Sequence, residues 1–208
     1  MKKLEFIFVL ALAVYLIISG LDIEGFSKDY NSLQDNVVRI HILANSDEKY
    51  DQELKLAVRD RILEYTNGWL SGCSSADEAI AVLSTRIDEI NNIAQAKVNE
   101  CGYSYTTKSE VVEMKFDDRV YDDITMPHGK YTAVRVTIGT ASGHNWWCVM
   151  YPPLCIPASG GELNIDDYDM YFTEGEIDIM KNCKDYEIKF RIAEVYDFVK
   201  SLFSEQVK

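Results

Sequence analysis

VVRIHILANSDE, residues 37 to 48, decides the fold. Val38, Ile40 and Ile42 alternate with Arg39 and His41, the two-residue period of a half-buried strand with one apolar and one wet face. Asn45-Ser46-Asp47 follows, three side chains suited to capping a helix. Asn45 with Glu48 three positions on fits a capping box. The stretch therefore reads as a strand that turns directly into a helix.

Working outward, Leu54, Val58, Ile62, Tyr65 and Trp69 keep helical spacing over about 48–68, and Ala76, Ile80, Leu83, Ile87, Ile90 and Ala94 repeat it over 75–98. Gly72 and its serine neighbours join the two helices as an antiparallel pair. Two-residue alternation returns in Val112, Met114 and Phe116, again in Val134, Val136 and Ile138, and a further strand is expected from Asn145 to Tyr151, stopped by Pro152-Pro153. In each alternating strand the polar partners (Arg39/His41, Glu113/Lys115, Arg135/Thr137) share one face. A sheet with a wet face is usually antiparallel. The expected fold is α+β: two layers, a mostly antiparallel sheet with one face covered by helices, in a single domain over 36–205. Glu162 to Asp178 reads as a solvated acidic loop. Tyr186 to Phe203 reads as an amphipathic helix with Ile188, Ile192, Val195, Val199 and Leu202 on its apolar face.

The N-terminus is of another kind. Met1-Lys2-Lys3 precedes an unbroken apolar run from Phe6 to Ile18. That is the layout of a signal peptide or an N-terminal anchor over 1–21, with 22–35 as a polar linker. Either sends the rest of the chain across a membrane, and a membrane partner is expected through this segment alone, if it is retained. The net charge of −13 argues against phosphate-neutralising nucleic-acid binding.

The chemistry-bearing residues give no active-site pattern. His144 and Cys148 lie ~13 Å apart along an extended strand, too far for a dyad. Three scattered histidines without helical pairing make a zinc site unexpected, and no metal, cofactor or small-molecule substrate is expected. An exported cysteine hydrolase using Cys148 and a cell-wall or surface-binding module are the alternatives. Outside the cytoplasm disulfides are permitted. A Pro-Pro reversal can bring Cys148 and Cys155 to disulfide distance, with a redox pair or free thiols as the other readings. Trp146 and Trp147 must point to opposite faces. One enters the core; the other is covered by the chain's own loops or serves as an interface anchor.

Three stretches carry a resemblance. VVRIHILANSDEKYDQELKLAVRDRIL (37–63), with Ala44-Asn45-Ser46-Asp47, Asp51-Gln52, Lys55 and Val58-Arg59-Asp60, resembles the opening of the stage II sporulation protein R family. GKYTAVRVTIG (129–139) and GHNWWCVMYPPLC (143–155) are similar to its second half, so the likeness spans about 36–158. Lys49 stands where that family often has proline. The resemblance implies a non-enzymatic signal in endospore-forming bacteria. It is made in the forespore and exported to the space between forespore and mother-cell membranes. There it promotes activation of a membrane-embedded aspartyl protease that processes the precursor of the mother-cell factor sigma-E. Candidate residues for contact with that receptor are Asn45, Ser46, Asp47, Arg135, Asn145, Trp146 and Trp147.

Overall fold

A computed structural model describes residues 22–121, 124–153 and 169–205. The strand that opened the reading, β1 (Val38–Leu43), lies inside a four-stranded sheet. The order is β2 (Thr107–Phe116), β5 (Gly129–Ile138), β1, β6 (Asn145–Tyr151). β1 pairs with β5 in parallel and with β6 antiparallel, while β2 and β5 are antiparallel. The sheet is thus mixed, where alternation alone suggested a mostly antiparallel one. A small hairpin, β3 (Arg119–Tyr121) and β4 (Ile124–Met126), stands beside it.

The first sheet face meets α2 (Lys49–Leu70), α3 (Ala76–Thr85) and α4 (Ile87–Glu100). Val38, Ile40 and Ile42 of β1 and Val134, Val136 and Ile138 of β5 interleave there with Leu54, Val58, Ile62, Leu83 and Ile90. Burying each such side chain contributes ~1.5–3 kcal/mol, so this layer is the main hydrophobic core. The expected continuous helix over 75–98 is broken at Arg86, which serves as C-cap of α3 and N-cap of α4.

The second face is also covered, so the domain has three layers, not two. Residues 22–35, expected as a linker, are helical (α1). Phe26, Tyr30 and Leu33 recur at helical spacing and are buried. Thr173 and Glu176 close a capping box that starts α5 (Glu174–Lys181), inside the stretch read as a solvated loop. A short 3-10 turn (Cys183–Tyr186) leads to α6 (Glu187–Glu205). Phe172, Ile179, Met180, Phe190 and Ala193 join Phe26, Tyr30 and Leu33 against Phe116, Tyr131, Ala133 and Val149 of the sheet.

The expected wet face does not hold together: Arg135 and Thr137 on it are half-buried, and Glu113 and Lys115 are exposed on the other face, because Glu113 pairs with Thr132, which lies opposite Val38. Arg39 is fully buried and His41 nearly so. The Arg39 guanidinium lies 4.0 Å from the Phe116 ring centre and 4.9 Å from that of Tyr131, and donates to the Tyr121 hydroxyl at 3.3 Å. Aromatic faces supply the electron density that water would have offered. Burial lowers the Arg39 pKa, with Tyr121 and Tyr131 opposing the fall.

Candidate functional site

The connection from β1 to α2 and the loop from β5 to β6 are knotted together by polar groups. Asn45 Nδ2 and Ser46 Oγ donate to Asp51 Oδ2 at 2.8 and 2.6 Å. Asn45 Oδ1 accepts from the Thr140 amide at 2.9 Å, and its carbonyl accepts from the Thr140 and Ser142 hydroxyls. The Gly143 amide donates to the Ala44 carbonyl at 3.0 Å. Two glycines make the approach possible. A Cβ on Gly139 (φ +58°) would stand 2.2 Å from Asn45 Oδ1, and one on Gly143 2.1 Å from the Ser46 carbonyl oxygen.

The expected Asn45–Glu48 capping box does not form. Glu48 is the N-cap of α2 and makes no side-chain cap bond; Ser46 Oγ instead accepts from the Glu48 amide at 3.2 Å. Asn45 is committed to Asp51 and Thr140. Burial alone would raise the Asp51 pKa, but donation from Ser46, Asn45 and Tyr105 outweighs it and holds the carboxyl below the usual range.

Asp51, Lys55 and Arg59 follow one another at i, i+4 on α2, and all three are buried. Lys55 Nζ donates to the His144 carbonyl at 2.9 Å and to Gln52 Oε1 at 2.5 Å. Burial lowers its pKa, while nearby Asp47 opposes the fall. The Arg59 guanidinium lies 4.3 Å from a Trp146 ring centre. Asp51, Lys55 and Arg59 carry part of the family resemblance but are not among the candidate contact residues. Their signal, charged residues repeating at helical spacing beside the apolar stripe, reads equally as a solvated helix face.

Across the second sheet face the register aligns a row: Glu110 opposite Arg135, Arg135 opposite His41, His41 opposite Trp147. Arg135 is ion-paired with Glu110. The rings of His41 and Trp147 stack at 3.9 Å and 17°, and Trp147 meets Phe116 edge-on at 4.7 Å. Burial pushes the His41 pKa down to about 4; the Arg135 charge adds to the fall and the Asn145 side chain partly opposes it. Asn145 acts on the ring without a hydrogen bond of normal geometry, since neither ring nitrogen has one. His41 is thus a buried neutral imidazole, not the exposed sheet residue that alternation suggests.

The second layer stops short of this end of the face. Asp47, Asp117, Arg119, Ser142, His144, Asn145 and Trp147 line a shallow open cleft of about 470 Å³. His144 pairs with Asp47 through both its amide and its ring, the ring bond first, which lowers the Asp47 pKa. The proposed contact residues accordingly divide. Arg135, Asn145, Trp147 and Asp47 stand at or beside the open end. Asn45 and Ser46 are bonded into the corner, and Trp146 packs on the opposite face, against the α2–α4 core. The two tryptophans do take opposite faces.

Cys148 lies opposite Ile40 in the β1–β6 register and is buried in the α2–α4 core, whereas His41 faces the other layer. The sheet separates them, so they make no dyad. Cys155 falls outside the described residues; Cys73, Cys101 and Cys183 are free. Among the described residues no group of three or more His, Cys, Asp or Glu could hold a metal ion, and no helix is long and apolar enough to cross a membrane.

Comparison with known proteins bears on this geometry. The family described as Stage II sporulation protein R matches residues 34–160, a span that takes in β1, the corner, the α2–α4 layer and the cleft. Stage II sporulation protein R of Bacillus subtilis (strain 168) is 30% identical over 164 residues, covering 74% of this chain and 73% of that protein. No solved structure matches the chain.

Proposed function

The chain belongs to the stage II sporulation protein R family, and from that premise we propose that it is an exported signal that promotes activation of a membrane-embedded aspartyl protease, leading to processing of the sigma-E precursor in the mother cell. The family match is the observation that carries the proposal. The apolar run from Phe6 to Ile18 supports export from the forespore into the space between the two membranes. The open end of the sheet supports a docking role. Arg135 and Asn145 there flank the half-buried Trp147, and tryptophan and arginine are residue types enriched at interface hot spots. Asp47 and Arg119 add charge of both signs along the cleft.

A second part of the proposal concerns Cys148. We infer that it pairs with Cys155 and closes the Pro-Pro loop that follows β6. The three remaining cysteines carry no disulfide, and a small loop closed in this way stabilises by ~2–3 kcal/mol. Peptide mapping after thiol alkylation tests it. Cys148 should be modified in the unfolded chain after reduction and not before.

The signalling role is tested by co-expression in a non-sporulating host with the receptor protease and the sigma precursor. Cleavage of the precursor should depend on this chain. Trp147→Ala combined with Arg135→Ala should reduce cleavage at least tenfold, while Tyr65→Ala, exposed on α2 far from the cleft, should leave it unchanged. Cleavage that is the same with and without the chain overturns the proposal.

A further inference from the structure

Helix α6 has two apolar faces. Phe190 and Ala193 are buried and hold it to the second layer. Ile188, Ile192, Val195, Val199 and Leu202, read in the sequence as its apolar face, are 76, 46, 63, 42 and 48% exposed, and Phe198 beside them is 63% exposed. At roughly 100° per residue the five fall within an arc of about 80°, and Phe190 and Ala193 lie about 140–160° from its centre. The domain that α6 docks on therefore cannot also cover this stripe. Elsewhere the exposed large apolar residues are scattered: Tyr50, Tyr65, Val120, and Met170 with Tyr171. Scattered residues need no explanation, whereas a continuous stripe does.

The N-terminal end of the described chain is fixed to this same helix. Asp22 pairs with Lys189 and Glu24 with Lys200, each at 3.5 Å. The Ser27 hydroxyl and the Asn31 amide donate to Asp197. Just ahead of Asp22 in the sequence stands the apolar run that ends at Ile18. Four peptide steps, with a reach of at most ~14 Å, separate Ile18 from Asp22. The segment of the sequence best suited to hydrocarbon thus joins the described chain at the helix that carries the uncovered stripe.

We propose that the stripe of α6 lies in the interfacial zone of a lipid bilayer, beside the point where the N-terminal run enters it. The dimensions favour lipid over a second copy. From Ile188 to Leu202 the helix rises ~21 Å, and a strip one helix wide covers a few hundred Å², well short of the ~800 Å² per partner of a stable interface. The apolar repeat spans about two heptads, fewer than the three or four that sustain a coiled coil. Arg191 and Tyr196 border the stripe, side chains that keep a polar head in water above a buried stem. With a net charge of −13 the attraction is apolar, and anionic lipid opposes it at low salt where it would aid a basic helix. The inference shares only the N-terminal run with the signalling role; the α6 stripe plays no part in that role.

The test places tryptophan on the stripe of the full-length chain, reconstituted in phosphatidylethanolamine–phosphatidylglycerol vesicles with and without brominated acyl chains. Val195→Trp and Ile192→Trp, both at exposed positions, should each lose at least half of their added emission to bromine. Glu194→Trp, on the side away from the stripe, should lose little. Equal quenching at 194 and 195, or none at either stripe position, overturns the proposal. Stripe emission that is blue-shifted yet indifferent to bromine also overturns it, because a second copy or the N-terminal run then covers the helix.

Discussion

The two faces of the central sheet are covered in different ways, and strand β1 shows the contrast residue by residue. Toward α2–α4 it presents Val38, Ile40 and Ile42 to the apolar stripe of that layer. Toward α1, α5 and α6 it presents Arg39 and His41, buried just as completely. The first layer is held by area removed from water. The second adds to its own apolar contacts a guanidinium and an imidazole set against Phe116, Tyr131 and Trp147 of the sheet, and the imidazole stays buried only while it is neutral. Burial alone does not distinguish the layers; their response to substitution and to acid should.

The largest effect is expected on the apolar side. Ile40→Ala removes a fully buried side chain from the central strand and should lower unfolding free energy by ~3–4 kcal/mol, read as a fall in the urea midpoint with an unchanged slope. The polar side should answer to pH instead. His41 has a folded pKa of about 4, below the unfolded value of ~6.5. The unfolded chain therefore binds the extra proton between those values. The neutral-ring stability is fully present above ~6.5 and is lost as pH falls toward 4, by up to ~3 kcal/mol. His41→Phe keeps a ring against Trp147 and should flatten that part of the stability–pH curve. A curve that keeps its slope would mean that another group titrates there.

The polar corner joins the two faces at one end of β1, and it offers an intermediate effect. Gly143→Ala places a Cβ against the Ser46 backbone and should cost ~2–3 kcal/mol, because backbone on both sides must move. The smallest effect belongs to the open end of the polar face. Arg135→Ala breaks a partly exposed pair with Glu110 and should change stability by less than ~1 kcal/mol. Its effect on precursor cleavage should be far larger than that. A large loss of stability would instead return Arg135 to the fold.

What the sequence discloses follows the same division. Ile40 and Leu54 are legible because period-two and helical spacing are direct consequences of burial against a single layer. Arg39 and His41 mislead because alternation of polar and apolar side chains looks the same whether the polar side meets water or a second layer. That layer was readable in part. Phe26, Tyr30 and Leu33 keep helical spacing inside a segment whose composition suggests a linker, and Thr173 with Glu176 spells a capping box in an acidic stretch. In α6 the strongest periodic stripe is the uncovered one, and the docking face rests on Phe190 and Ala193, too few to stand out. At the candidate site, Trp146 and Trp147 were placed on opposite faces by strand geometry alone. Asn45, by contrast, looks available in the sequence because its partners Thr140 and Ser142 come from a loop some 95 residues away, while Ser46 is taken up by Asp51 and the Glu48 amide once the corner folds.

The pairing of β1 also governs when the domain can exist at all. Its partners are Thr132 to Thr137 on one edge and Asn145 to Tyr151 on the other. During synthesis the first strand made is the last to be enclosed. Until Tyr151 has left the ribosome, one edge of β1 stays open and the α2–α4 layer has half a floor to rest on. Contacts so distant along the chain make folding slow. The whole of residues 37–151 must be present together before either face of the sheet is worth forming.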